Sequence, residues 1–230
     1  MMRRTLLQLA AGVLAPSNGA VRVFGASPVD RPDVYRQVAL VPEREALPGM
    51  MSARAFVAAR AALLGIRDIN AAVDHALHMV ELDTVATRRI DTFSKGMKQR
   101  VKLAAALVHD PSLVLLDEPF NGLDPRQRFH MMHLLEARAD QGTSVLLITH
   151  DIYLAEACAD RLWLVYHGRA RQYDGDLEDY RKLVAAADRP ADEGEKHAAA
   201  VAVHTEAKPK HSKYTLTRKL EAAEKDRSEE

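Results

Sequence analysis

An α/β fold with a mostly parallel sheet is predicted by three apolar runs and by the helical segments between them. The runs lie at residues 38–41, 113–116 and 145–148, and none of them alternates polar with apolar residues. Such runs are typical of strands buried on both faces, as in a parallel sheet. Because the intervening segments carry apolar residues at helical spacing, strands and helices alternate along the chain.

Length and composition limit the number of domains, and they do not indicate a charged partner. The 230 residues suffice for one domain, or for one domain with a tail, and 47% of them are hydrophobic. Lys and Arg total 32, as do Asp and Glu, so the net charge gives no reason to expect a nucleic-acid partner. The single cysteine, Cys158, excludes an internal disulfide and fits a reducing compartment. No apolar run approaches the length of a membrane span.

The N-terminal stretch allows two interpretations. Residues 1–15 are first basic and then apolar, which is also the pattern of a short signal peptide. Gln8 and the helical spacing of Leu6, Leu9 and Val13 favour the first helix of the domain instead, and we expect that helix. The alternating residues 20–25 predict a strand after it.

Residues 52–92 have the pattern of helices rich in Ala, Leu and Arg. Ser52 is a suitable N-cap for the first of them. The apolar face of that helix is expected at four positions, Ala55, Phe56, Ala59 and Leu63. A polar stretch with a glycine at residues 93–100 then opens another helix.

Two carboxylates, Asp117 and Glu118, come directly after the apolar run at 113–116. Ligands of open α/β sheets bind at the carboxyl ends of the strands. A carboxylate there can hold Mg²⁺, and a second one can activate a water molecule. The alternative is that the acids only start a loop. An acidic turn at 120–125 follows, and the run at 145–148 leads to His150.

The composition changes towards the C-terminus. Residues 163–166 and 170–173 predict a hairpin around Gly168. Residues 185–213 mix charged residues with Ala, Pro and Gly without periodicity, which predicts a flexible linker. Residues 214–230 form a charged tail that is expected to be either a short helix or a solvated segment.

Four of these signals together resemble the nucleotide-binding domain of ABC-type ATPases. Residues 94–100, SKGMKQR, resemble the signature loop, and residues 113–118 resemble Walker B. Residues 122–124 resemble the D-loop, and His150 resembles the switch histidine. The resemblance implies a RecA-like P-loop NTPase core over residues 1–184, with a mostly parallel sheet and an inserted helical subdomain at about 52–108.

The resemblance also implies the chemistry. ATP and Mg²⁺ are the expected cofactors, with Asp117 holding the metal through water and Glu118 and His150 as catalytic residues. The signature loop of one subunit contacts the nucleotide of another, which implies a head-to-tail dimer. The residues expected to contact nucleotide are Arg3, Thr5, Glu43, Ser94, Lys95, Gly96, Gln99, Asp117 and Asp124.

The N-terminal residues depart from the family pattern. When Thr5 is aligned with the helix that follows Walker A, Arg3 takes the place of the phosphate-binding lysine and Arg4 that of the Mg²⁺-binding hydroxyl. The phosphate-binding glycines and the preceding strand are absent, so we expect either a domain truncated through Walker A or weak nucleotide binding. Glu43 stands where the family has its Q-loop glutamine.

Two branches of the family are resembled in different parts of the chain. SKGMKQR and residues 117–128, DEPFNGLDPRQR, resemble the ATPase subunits of exporters, whose membrane-spanning permease is a separate chain. Residues 149–154, 159–165 and 174–181 resemble ABC-F proteins, which are soluble ATPases associated with the ribosome. The first reading predicts a cytoplasmic subunit, peripheral on the inner face of the cell membrane; the alternatives are an ABC-F-like factor and a cassette with little or no ATPase activity.

Overall fold

A computed structural model of the chain describes residues 2–44, 46–149, 151, 154–155, 158–166, 169–173 and 179. The chain divides into two compact units, Met1–His150 and Asp151–Glu230. The helices described in the first unit are α1 (Met2–Ala10), α2 (Pro32–Tyr35), α3 (Ala53–Leu63), α4 (Ile69–Met79), α5 (Lys95–Leu107) and α6 (Pro125–Asp140). Its strands are β1 (Val38–Val41), β2 (Leu113–Asp117) and β3 (Ser144–Ile148).

The three strands of the first unit form a parallel sheet in the order β1-β2-β3, as the apolar runs predict. Val41 pairs with Leu116, and Asp117 pairs with Ile148. Val114, Leu115 and Leu116 of the central strand are fully buried, which explains their lack of polar alternation. Because the strands are parallel and in register, their carboxyl ends lie side by side at one edge.

The predicted N-terminal helix is present as α1, which packs against β2. Leu7 of this helix is 1% exposed and joins a buried cluster with Val34, Val38 and Leu115. This packing holds the start of α1 close to the sheet, and it places Arg4 near the strand ends described below.

The strand predicted at residues 20–25 is wrong. Val23 pairs only with Ala26, as an isolated bridge. Between them Phe24 and Gly25 have φ angles of +51° and +79°, so the chain reverses direction instead of extending. Alternation of small and apolar residues did not distinguish this tight turn from a strand.

Helices α3, α4 and α5 pack against one another, and α5 also packs on β1. Ser52 caps α3 as predicted, since its hydroxyl accepts a hydrogen bond from the Ala55 N–H at 3.1 Å. The predicted apolar face of α3 is wrong, because the buried residues are Ala53, Val57 and Ala61 while Leu63 is 82% exposed. The three buried residues are four positions apart, so they form one face of α3, and the helix packs against α4 and α5.

The second unit contains the predicted hairpin, in which β4 (Leu162–Tyr166) pairs antiparallel with β5 (Arg169–Tyr173). The Asp151 carboxylate accepts a hydrogen bond from the Leu154 N–H at 3.1 Å. The linker at 185–213 and the tail at 214–230 lie outside the described residues. Among the described residues, no helix is both long and apolar enough to cross a membrane.

Candidate nucleotide site

Polar side chains gather where β2 and β3 end. Asp117 is the last residue of β2 and is 6% exposed. Glu118 follows with a φ of +50°, which is uncommon for a residue with a side chain, and its N–H donates to the Ile148 carbonyl at 2.9 Å. The Thr149 hydroxyl donates to Oε2 of Glu118 at 3.3 Å. Backbone and side-chain bonds thus fix the turn after β2 to the end of β3.

Arg4 connects this strand end to the neighbouring one. Its Nε lies 3.2 Å from Oδ2 of Asp117, and its Nη2 is paired with Oε2 of Glu43, two residues beyond β1. The Arg4 side chain is half-exposed, whereas that of Asp117 is 8% exposed. One guanidinium therefore pairs with a buried and a partly buried carboxylate at the same time, and it balances one of their two negative charges.

Lys102 of α5 reaches the same segment from the helical side. Its side chain is buried, and Nζ donates to the carbonyls of Pro42 at 3.4 Å and Glu43 at 3.2 Å. A buried ammonium needs such acceptors because its own hydration is lost. The contact links the helix that begins at the signature-like loop to the backbone that carries Glu43.

Ser94 caps α5, because its hydroxyl accepts a hydrogen bond from the Met97 N–H at 3.2 Å. Ser94 and Lys95 are exposed, while Gln99, one turn further on, is 7% exposed. The Gln99 amide nitrogen has no hydrogen-bond partner among the described residues. The start of α5 therefore presents polar groups and the positive end of a helix dipole to solvent.

Gly96 allows the start of α5 to lie directly on the acidic turn after β2. A Cβ at this position would stand 2.7 Å from the Gly122 carbonyl and 3.0 Å from Oε1 of Gln127. Gly122 itself has a φ of +85° and is covered by the aliphatic stem of Lys95. Asp124 caps α6 by accepting from the Gln127 N–H at 2.8 Å. The signature-like and D-loop-like segments thus form one packed group.

The sequence-predicted residues therefore fall into two groups. Asp117, Glu118 and Glu43 meet at the carboxyl edge of the sheet. The second group surrounds the Gly96–Gly122 contact, and its members are Ser94, Lys95, Gly96, Gln99 and Asp124. Thr5 is exposed on α1. The Arg3 side chain and His150 lie outside the described residues.

Sequence reasoning did not select Arg4, Lys102 or Thr149 as site residues. Lys102 had a usable signal, because it is a charged residue within the apolar stretch that follows the signature-like loop. Arg4 was noted only as a departure from the family pattern. Its contacts with residues 43 and 117 depend on the packing of α1, which no local pattern reveals.

The residues present do not fit the Mg²⁺ ion that the family implies. Mg²⁺ binds oxygen ligands in near-octahedral geometry, usually one or two carboxylates with water and phosphate. Here both Asp117 and Glu43 contact the Arg4 guanidinium, and an arginine stands in place of the hydroxyl ligand. Among the described residues, no group of three or more His, Cys, Asp or Glu side chains could hold a metal ion.

A parallel sheet with acids at its carboxyl edge, together with a capped glycine loop beside it, defines a nucleotide-binding α/β domain. A family model described as "ABC transporter" matches residues 4–121. The chain belongs to the ABC transporter family, and it carries the ATP-binding domain of that family.

Relatives support this assignment. The SkfA peptide export ATP-binding protein SkfE of Bacillus subtilis is 33% identical over 172 residues, which cover 74% of this chain and 72% of that protein. The sn-glycerol-3-phosphate import ATP-binding protein UgpC of Paracoccus denitrificans is 36% identical over 183 residues, covering 78% and 52%. The chain spans about half to three fifths of the length of several curated relatives that it matches.

A solved structure of the ATP-binding subunit of an ABC transporter has the same fold. It superposes with a TM-score of 0.68 at 27% sequence identity. The match covers 81% of this chain and 79% of that one. The predicted fold class, a RecA-like core with a parallel sheet and accompanying helices, is confirmed.

Proposed function

We propose that this chain is the ATP-binding subunit of an ABC transporter and couples nucleotide binding and hydrolysis to a separate membrane-spanning permease. The observation that carries the proposal is the meeting of Asp117, Glu118 and Glu43 at the carboxyl edge of the sheet. Open α/β sheets bind their ligands at this edge. Membership in the ABC transporter family specifies ATP as the ligand.

Glu118 is the proposed general base. Its φ of +50° and its bonds to the end of β3 hold the carboxylate at the strand end, as a residue that must orient an attacking water requires. His150 is proposed to position the same water and the terminal phosphate. Arg3 and Thr5, at the start of α1, are proposed to face the phosphates, where the positive helix end favours anions.

The group around Gly96 is proposed to serve the nucleotide of a second ATPase domain in a head-to-tail dimer. Ser94, Lys95 and Gln99 would contact its terminal phosphate, while Asp124 would connect the two sites. The exposure of Ser94 and Lys95 at the start of α5 supports this assignment, because a lysine side chain and the positive end of a helix dipole suit an anion.

An exporter-type subunit, cytoplasmic and peripheral on the inner face of the membrane, is the arrangement we favour. Support comes from the SKGMKQR and DEPFNGLDPRQR segments and from export proteins among the relatives. An import protein is also among them, so transport direction needs its own test. Co-purification of the intact chain with an integral membrane protein from the native membrane is the expected result.

A ribosome-associated ABC-F-like factor is the second candidate. It is favoured by residues 159–165, which include most of β4, and by the other ABC-F-like segments at 149–154 and 174–181. Co-sedimentation with ribosomes that depends on ATP, without a co-purifying membrane protein, would select this candidate over the transporter subunit.

The proposal is tested by measuring ATP binding and phosphate release on the full chain and on Glu118→Gln. Glutamine keeps an oxygen for the Thr149 hydroxyl but cannot act as a base. We expect ATP affinity to stay within about twofold and turnover to fall about 100-fold or more. Glu136→Gln, which changes an acid on α6 paired with His133, serves as the matched control. Turnover that survives in Glu118→Gln would remove Glu118 from this role.

A further inference from the structure

Arg4 stands at the position where the family pattern has a Mg²⁺-binding hydroxyl, and it forms ion pairs with two carboxylates. Its guanidinium contacts Asp117 through Nε at 3.2 Å and Glu43 through Nη2, so a different nitrogen of the group pairs with each acid. Asp117 is buried at the end of the central strand, and Glu43 lies beyond the adjacent one. Side chains from α1, β1 and β2 thus converge on a single positive charge.

The charge balance of this group differs from that of a metal site. Two carboxylates and a neutral hydroxyl would carry two negative charges, which one divalent cation neutralises. With arginine in place of the hydroxyl, only one negative charge remains, and the guanidinium uses carboxylate oxygens that a metal would need. A divalent ion entering here would also be repelled by the arginine at close range.

We propose that Arg4 is a built-in cation that excludes divalent metal ions from the Asp117–Glu43 site. Arginine suits this position because its planar group of N–H donors can pair with two carboxylates at once. A consequence for nucleotide binding, which rests on the proposed function, is that the chain binds free ATP at least as tightly as MgATP.

The first test measures Mn²⁺ binding by calorimetry and by its electron paramagnetic resonance signal, with no nucleotide present. The variants are Arg4→Ser, which supplies the hydroxyl, and Arg4→Gln, which keeps a long neutral side chain if the serine variant fails to fold. We expect at least about tenfold tighter Mn²⁺ binding in either variant than in the wild type. Adding Asp117→Asn to either variant should remove the gain.

Arg4→Lys is the matched charge-preserving control. It should bind Mn²⁺ no better than the wild type, since the positive charge remains. Wild-type binding of Mn²⁺ as tight as that of Arg4→Gln, with loss on Asp117→Asn, would overturn the proposal. Equal and weak binding in all variants would overturn it too, because removing the arginine would then open no metal site.

The second test measures ATP affinity of the wild type with Mg²⁺ and with EDTA. Equal or tighter binding in EDTA is expected, with a preference for MgATP appearing in Arg4→Ser or Arg4→Gln. A wild-type affinity that falls tenfold or more in EDTA would contradict metal exclusion. If the chain binds no ATP under either condition, the proposed function fails, while the Mn²⁺ result still decides the role of Arg4.

Discussion

His109 follows the C-terminal end of α5 and is partly buried. Burial is the main cause that lowers the pKa of its imidazole from 6.5 to about 4, and the positive charge of Arg60 acts in the same direction. The backbone of Val38 and the charge of Asp110 oppose the shift without cancelling it. The folded protein therefore favours the neutral ring.

The His109 pKa predicts a loss of stability on mild acidification. Between pH 6.5 and about 4, the His109 imidazole is protonated in the unfolded chain but stays neutral in the folded chain. The free energy of unfolding therefore falls as pH falls. We expect His109 to account for about 1–2 kcal/mol of this loss, after allowance for solvent screening of a partly exposed ring. Urea unfolding at pH 7 and pH 4.5 measures it.

His109→Gln should remove that part of the pH dependence, while His75→Gln on the exposed face of α4 should leave it intact. A pH dependence that is identical in His109→Gln and the wild type would show that other groups cause the loss. This prediction concerns a residue outside the candidate site, so it is independent of nucleotide binding.

At the scale of residues, the sequence predicted the acids of the site and missed their counter-ion. Asp117 and Glu118 were readable because they end an apolar run, and strand ends are ligand positions. The Arg4 contacts join residues 4, 43 and 117, which only the folded sheet and α1 bring together. Long-range pairing of flexible charged side chains leaves no periodic signal in a single sequence.

Among the elements, α3 and α5 each begin with a capping serine. Comparing the two serines distinguishes a role in helix stability from a role in ligand binding. Ser52 and Ser94 each accept a hydrogen bond from the N–H three residues on, at 3.1 and 3.2 Å. Ser52→Ala and Ser94→Ala should each lower the free energy of unfolding by about 1 kcal/mol. Only Ser94→Ala should also weaken ATP-dependent dimerisation, measured by sedimentation velocity. Equal behaviour of the two variants in both assays would leave Ser94 as a helix cap alone.

The hydrogen bonds of Lys102 connect α5 to the segment that follows β1. Its ammonium holds the carbonyls of Pro42 and Glu43, so Lys102→Met should loosen this segment without disturbing the helix. Amide exchange at residues 43–44 should become roughly 5–30-fold faster, the equivalent of about 1–2 kcal/mol of lost hydrogen bonding. Lys98→Met on the same helix is the control. Unchanged exchange at residues 43–44 would refute the link.

The sequence predicted the three strands from their apolar runs, whereas it did not predict the turn at residues 20–25. The runs at β1 and β2 are apolar because these strands are buried, and that signal survives in one sequence. The run at β3 is just as apolar, although this strand is only partly buried. Residues 20–25 form a turn because Phe24 and Gly25 adopt positive φ angles. The buried face of α3 was missed because Ala53 and Ala61 are only weakly hydrophobic, so they do not stand out as core residues in the sequence.

For the whole molecule, the distribution of basic residues makes proteolysis informative. The 32 Lys and Arg residues are spread along the chain, so trypsin has potential cleavage sites in every part of it. Within the first unit some of these are protected, since Arg100 and Lys102 are buried in α5. The positions of the first cuts therefore report which backbone segments are accessible, and not merely where basic residues occur.

We predict that brief trypsin treatment of the full chain first cuts after basic residues in 185–230. The mixed composition of 185–213 lacks the apolar residues needed to bury a backbone, whereas β1, β2 and β3 are held in one sheet. Mass spectrometry should find a persistent fragment that contains residues 2–149. Digestion in urea, where cuts should appear throughout, is the control. First cuts between β1 and β3 would instead show that the first unit opens more readily than the C-terminal segment, contrary to the predicted domain boundaries.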